Sequence, residues 1–182
     1  MSCGDTDLKC TRCRLSRSRT QVVPGTGPCD ARVVFIGEAP GKDEDLKGEP
    51  FVGRAGKILD AALVEAGVRR DQVYIVNLVK CRPPGNRRPR KDEVSACSRF
   101  LESELRQISP VAVCALGQTV ASELCGTRDK MSALAGRAID CSLFGMEVRL
   151  FVNYHPAACL YQRKNLAKFK KGIKASLSAA GF

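Results

Sequence analysis

A chain of 182 residues, 44% of them hydrophobic, can bury one good core and is short for two, so a single domain spanning 1–182 is expected. Its 30 Lys and Arg against 19 Asp and Glu give a net charge of +11, which suits a polyanionic partner, above all nucleic acid. No apolar run approaches the ~20 residues of a membrane span, and "MSCGDTDLKCTRCRLSRSR" lacks the apolar centre of a signal peptide, so a cytoplasmic protein with no membrane partner is expected.

After a polar, cysteine-bearing start, apolar runs alternate with helical patterns. "RVVFIG" (Arg32–Gly37) reads as a buried strand, and "AGKILDAALVEAG" (Ala55–Gly67) has helical spacing at Ile58, Leu59, Ala62 and Leu63, with Gly67 placed to end it. "QVYIVN" (Gln72–Asn77) is a second strand. "RKDEVSACSRFLESELRQI" (Arg90–Ile108) is a helix with acids in its first turn and Pro110 just beyond. "VAVCALG" (Val111–Gly117) is a third strand, followed by a short helix over 118–124. "EVRLFVNYH" (Glu147–His155) is a fourth, and a last helix covers 163–178.

Strands that are apolar on both faces and separated by helices predict an α/β fold, a four-stranded parallel sheet flanked by helices. Ligands of such sheets bind beyond the carboxyl ends of the strands. The residues found there are Glu38-Ala39-Pro40-Gly41, Asn77, Gly117-Gln118 and His155-Pro156, the last pair including the only histidine. Small, turning and polar residues thus converge on one edge, which marks a site.

Ten cysteines without a secretory signal argue against a disulfide framework. Cys114 reads as a small apolar residue inside a strand. Cys125, Cys141 and Cys159 show no partner pattern, and Cys3 and Cys29 sit in loops without a clear pair. Cys10 and Cys13 form a C-x2-C pair, while Cys81 and Cys97 are spread over a loop and the helix after it. Four thiolates so placed suit a [4Fe–4S] cluster or a zinc ion, although zinc ribbons usually bring a second C-x2-C knuckle. Two stretches, "KCRPPGNRRPRK" (Lys80–Lys91) and "RKNLAKFKKGIK" (Arg163–Lys174), contain no acid and are the expected grips on phosphates.

Together "CTRC" (Cys10–Cys13), "GEAPGKDED" (Gly37–Asp45), "GEPFVGRAG" (Gly48–Gly56), "NLVKCRPPGNR" (Asn77–Arg87), Cys97 and "HPA" (His155–Ala157) resemble, in order and spacing, a family 4 uracil-DNA glycosylase, the iron–sulfur branch of that superfamily. The resemblance covers nearly the whole chain. It implies a uracil-DNA glycosylase fold and a monofunctional enzyme of base excision repair. Such an enzyme flips uracil out of single- or double-stranded DNA and hydrolyses its N-glycosidic bond, leaving an abasic site. It also implies that Cys10, Cys13, Cys81 and Cys97 ligate a [4Fe–4S] cluster, with residues 1–30 as the cluster-binding segment. Gly37, Glu38, Ala39, Phe51, Asn77 and His155 would form the uracil pocket. A monomer is expected, with a replication clamp as a candidate partner.

The chemistry can be argued from the residues. Releasing uracil requires the base to be extruded, read and stabilised as an anionic leaving group. The Asn77 amide can accept from N3–H and donate to O4, a pairing that cytosine opposes. Phe51 can stack on the ring. His155 can donate to O2 as negative charge gathers there. Where related enzymes carry a water-orienting aspartate this chain has Ala39, which leaves Glu38 as the nearby carboxylate to position water or stabilise a cationic sugar. Glu38 and His155 are therefore the expected catalytic pair. Asp43, Glu44 and Asp45 are expected to cap or solvate the loop. A branch that links covalently to DNA does so through a histidine in an inserted loop. The matching "EDLKGEPFVGR" has none, so no covalent trapping is expected. The expected DNA contacts are Arg82, Arg87, Arg88, Arg163 and Lys164, and the resemblance implies Leu160 as the wedge, since the position that inserts a leucine into the base stack elsewhere in the superfamily falls near Cys159-Leu160. The alternatives are a non-catalytic iron–sulfur protein that binds nucleic acid or relays electrons, and a zinc-dependent RNA-binding module.

Overall fold

The computed structural model describes residues 3–182, so the first two residues of the 1–30 segment lie outside it. Five strands form one sheet: β1 (Val33–Gly37), β2 (Tyr74–Asn77), β3 (Ala112–Leu116), β4 (Ala138–Leu143) and β5 (Met146–Asn153). The α-helices are α1 (Lys42–Lys47), α2 (Arg54–Glu65), α3 (Lys91–Ile108), α4 (Gln118–Cys125), α5 (Met131–Leu134), α6 (Pro156–Tyr161) and α7 (Arg163–Ala179).

The strand order is β2-β1-β3-β5-β4. β1 pairs in parallel with β2 and β3, and β3 with β5, so the four expected strands are present and parallel. The expected four-stranded, all-parallel sheet is corrected by β4, which runs antiparallel to β5 along Ala138–Leu143. Phe144 and Gly145, both with positive φ, make the two-residue turn of that hairpin. β4 exposes alternate residues at the sheet's edge, so its sequence lacks the continuous apolar run of a strand buried on both faces.

β1, β2 and β3 are buried throughout, and their period-2 alternation divides the core into two layers. Val34, Ile36, Val76 and Val113 face Leu101 and Leu105 of α3 and Val120 of α4. Val33, Phe35, Ile75 and Leu116 face Leu59 and Leu63 of α2 and Phe169 and Ile173 of α7. A third, smaller cluster joins Leu15 and Val22 to Val79, Cys81, Cys97 and Phe100, and ties the N-terminal segment to the body. Cys114 lies wholly inside β3, where burial pushes its thiol up to about 12. Contrary to the expectation of unpaired thiols, Cys3 is bonded to Cys29 and Cys125 to Cys141. Each pair joins segments that only the fold brings together.

Two departures near the sheet edge matter for the site. "KDEDLK" is the helix α1 rather than a loop, and its acids Asp43, Glu44 and Asp45 fill the first turn, where they complement the N-terminal dipole. Glu44 and Asp45 are buried and neither solvates the loop. Asp45 instead accepts from the backbone N–H of Thr20 (2.9 Å to Oδ1), which pins the N-terminal segment.

Candidate active site

The register sets Gly37 of β1 opposite Asn77 of β2, so both end on one line. Beyond it lies a cleft of about 460 Å³ lined by Glu38, Ala39, Phe51, Asn77 and His155, with Lys42, Arg54 and Arg87 also on its walls. The sequence-expected pocket residues are thus brought together. Gly37 contributes through what it lacks, since a Cβ there would sit 2.3 Å from Asn77 Oδ1 and 2.4 Å from the Phe51 ring. Only glycine lets these two side chains meet at the strand end.

Asn77 is 2% exposed, and its Oδ1 is buried with no hydrogen-bond partner among the described residues. An unmet buried acceptor costs about 1–3 kcal/mol, so a group held ready without a partner points to a ligand that donates. His155 caps α6, its Nδ1 accepting from the Ala157 backbone N–H at 3.2 Å. That bond requires Nδ1 to be bare, so the neutral ring carries its proton on Nε2 and can donate. Burial holds the imidazole down to about 4, although the nearby Glu44 carboxylate pulls the other way. The Phe51 and His155 ring centroids are 5.9 Å apart.

Phe51 has φ of 54°, in the left-handed region that costs a bulky residue of order 1–3 kcal/mol. Its surroundings hold it there. Arg70 donates to the carbonyls of Pro50 and Phe51 and is anchored by Asp60 at 2.7 Å. Glu44 accepts from the N–H groups of Gly41 (3.1 Å), Val52 (3.0 Å) and Gly53 (2.9 Å), stitching the 38–41 turn to the Phe51 turn. The expected capping role of Glu44 is present in its bond to Gly41 N–H, whereas its bonds to Val52 and Gly53 were not foreseen from the sequence, because they join segments that only the fold brings together. Glu38 is half-buried on the cleft wall, and its carboxylate makes no hydrogen bond among the described residues.

Cys10, Cys13, Cys81 and Cys97 line one small cavity beside the cleft, and all four are free thiols. Lys80 N–H donates to Cys97 Sγ at 3.3 Å and Arg19 Nη1 to Cys81 Sγ at 3.4 Å. Burial pushes the Cys81 thiol up to about 11, against the opposing pull of Arg19. Among the described residues no three His, Cys, Asp or Glu side chains stand close enough to hold one metal ion.

The basic stretches divide on inspection. Lys80, expected with the phosphate grips, is 1% exposed and paired with the buried Glu104. Arg87 is bound in bidentate fashion to the buried Glu93 at 2.7 and 2.9 Å, and its guanidinium holds that carboxyl down to about 2. Arg82 Nε donates to Asn86 Oδ1 at 2.7 Å. Arg88, Arg163 and Lys164 are exposed, and Arg163 borders a groove with Lys170, Lys171 and Lys174 rather than the cleft. Leu160 is half-buried on α6, while its neighbour Tyr161 is 82% exposed.

Residues 24–177 match the uracil DNA glycosylase superfamily. A type-4 uracil-DNA glycosylase of Archaeoglobus fulgidus is 41% identical over 171 residues, covering 92% of this chain and 86% of that protein. The chain belongs to the type-4 uracil-DNA glycosylases. Another member, from Thermotoga maritima, is 46% identical over 158 residues, 86% of this chain and 81% of its own. A type-5 enzyme of Thermus thermophilus is 37% identical over 105 residues, half of this chain and 48% of the relative. No helix of this type-4 chain, among the described residues, is long and apolar enough to cross a membrane.

Proposed function

We propose that the cleft at the ends of β1, β2 and β5 binds a flipped uracil, and that the protein hydrolyses its bond to deoxyribose in DNA repair. The observation that carries this reading is Asn77 Oδ1, a buried acceptor on the cleft wall that has no partner among the described residues. Uracil N3–H satisfies it, and the amide N–H of the same side chain meets O4. Cytosine offers a bare N3 and an amino group, so each contact becomes repulsive. Phe51, fixed by Arg70 and the Glu44 stitches, supplies the stacking face.

Bond cleavage leaves the electron pair on uracil N1, shared with O2 and O4, and a cationic sugar at C1′. His155 donates from Nε2 to O2 as a neutral ring already oriented by Ala157 N–H. Glu38, with no other partner among the described residues, orients the attacking water or faces the cationic carbon. Water oxygen adds to C1′ and gives one proton to the Glu38 carboxylate, from which it passes to solvent, and the uracil anion takes one proton from solvent at N1, so one water is consumed for each bond broken. Ala39 adds a methyl group and no carboxylate, which leaves leaving-group stabilisation as the main source of rate.

The four thiols fit a [4Fe–4S] cluster in donor chemistry. They form an all-sulfur set around one cavity, with N–H groups donating to two of the sulfurs. Bound there, the cluster would supply cross-links between the N-terminal segment, the 82–90 loop and α3. Arg88, Arg163 and Lys164 would hold phosphates, with Leu160 and Tyr161 at the base stack.

The test is incubation of the purified protein with uracil-containing single- and double-stranded DNA, followed by alkaline cleavage of abasic sites. Strand breaks at uracil alone are the expected result. Binding without breaks would favour a non-catalytic iron–sulfur protein instead.

A further inference from the structure

Lys80 and Glu104 form a fully buried ion pair, 1% and 0% exposed, with Nζ and Oε2 2.5 Å apart. The pair touches the base-reading residue. Lys80 Nζ also donates to the main-chain carbonyl of Asn77 at 3.2 Å, from outside the cleft that the Asn77 side chain lines. Glu104 Oε1 accepts from Gly25 N–H and from the Tyr74 hydroxyl, each at 3.1 Å, so the carboxylate is fixed on the far side of the ammonium. Stability is a weak reason for such a pair, because desolvating two charges offsets most of their attraction and apolar residues often do as well. Its orientation is more informative. The positive end, and not the negative one, is held against Asn77.

We propose that Lys80 is a positioning residue for leaving-group departure. The Lys80–Glu104 dipole fixes the Asn77 peptide and presents positive potential behind the donor that faces uracil O4. The inference rests on the reading of Asn77 given above. As the N-glycosidic bond breaks, the electron pair moves onto N1, O2 and O4, and a fixed dipole in a water-poor interior stabilises that charge without reorganising. His155 serves the O2 side, and Lys80 acts through Asn77 on the O4 side. Uracil in the ground state is neutral, so the dipole affects the chemical step more than binding.

A leaving-group comparison separates this role from a merely structural one. 5-Fluorouracil is close to uracil in size, but its fluorine withdraws electrons and stabilises the departing anion, so it needs less help. In Lys80→Met/Glu104→Gln the Gln oxygen still accepts from Gly25 and Tyr74. Single-turnover excision of uracil by the iron-loaded variant should slow roughly tenfold or more, and that of 5-fluorouracil several-fold less, with half-saturating enzyme concentration little changed. Equal slowing of both bases, or slowing of neither, overturns the proposal.

Lys80→Arg is the second variant and keeps a positive charge against Glu104, because a guanidinium does not lose its proton in proteins. It should keep the uracil-to-5-fluorouracil rate ratio nearer the wild-type value than Lys80→Met/Glu104→Gln does, and an equal fall in both variants overturns the proposal as well. Asn77→Ala distinguishes the two levels of the argument. If it excises uracil at the wild-type rate, the pocket reading fails. If it is slow while the Lys80 variants leave the ratio unchanged, only the dipole fails.

Discussion

The cleft proposed for uracil and the thiol cavity lie at opposite ends of the five residues 77–81, and they are built in opposite ways. The cleft takes its side chains from strand ends whose register is fixed by the sheet, so Gly37, Asn77 and His155 are placed before any ligand arrives. The cavity draws Cys10, Cys13, Cys81 and Cys97 from loops and one helix, none of them in a strand. Those segments are held by side-chain ties such as Asp45 to Thr20 and Arg87 to Glu93. The difference teaches that preorganisation for chemistry comes from the sheet, whereas the cavity gains much of its order from whatever its thiols bind.

The largest effect should come from the preorganised side. His155→Ala should slow single-turnover excision roughly 10²–10³-fold with little change in DNA affinity. Wild-type activity should show no break from this group near 6.5, the ordinary imidazole value, and should fall only as pH drops through about 4. Below that point a protonated Nδ1 opposes the Ala157 N–H. The stability contribution has the same sign. Between about 6.5 and 4 the unfolded chain takes up a proton that the folded ring refuses. The contribution is therefore complete above 6.5 and lost as pH falls toward 4. A rate break near 6.5 that disappears in His155→Ala would contradict the neutral-donor role.

On the other side, Cys81→Ala should release iron, lower the melting temperature and open the 82–90 loop to protease. Stoichiometric zinc without iron in the wild-type protein would remove the basis for that expectation. Between the two regions, Glu44→Ala strands the N–H groups of Gly41, Val52 and Gly53. It should cost about 1–3 kcal/mol, read as a shift in denaturant midpoint at unchanged slope, and should slow excision by loosening Phe51. The smallest effect belongs to the exposed surface. Arg88→Ala should reduce the log–log salt slope on duplex DNA by about 0.9 and leave base choice alone. Arg87→Ala should instead destabilise the loop, because its guanidinium is committed to Glu93.

Much of the cleft was legible because strand ends can be read from apolar runs: Gly37 and Asn77 each close a strand buried throughout, and His155 follows two residues beyond β5, of which only the last four residues are buried. β4 was hidden because only one of its faces is covered, and α1 because six residues cannot display a helical period. The errors over charge share a different cause. A sequence shows a Lys or Arg but not the acid it meets. Lys80 finds Glu104 24 residues on, and Arg87 finds Glu93 in the next helix. Both had looked like free cations on a basic loop. The Cys3–Cys29 and Cys125–Cys141 pairs were invisible for the same reason, since only the folded chain brings the partners together.

The central claim is that Asn77 reads the base, and Asn77→Asp tests it most directly. The substitution keeps the shape, removes the donor to O4 and places an anionic oxygen against it, a buried mismatch of about 1–3 kcal/mol or more with charge. Single-turnover kinetics on matched single strands carrying uracil or cytosine give the answer. The account expects uracil excision to fall sharply and weak cytosine excision to appear, most readily at low pH, where a protonated Asp could also donate to cytosine N3. Full uracil activity in Asn77→Asp would contradict it and would move base reading to other residues.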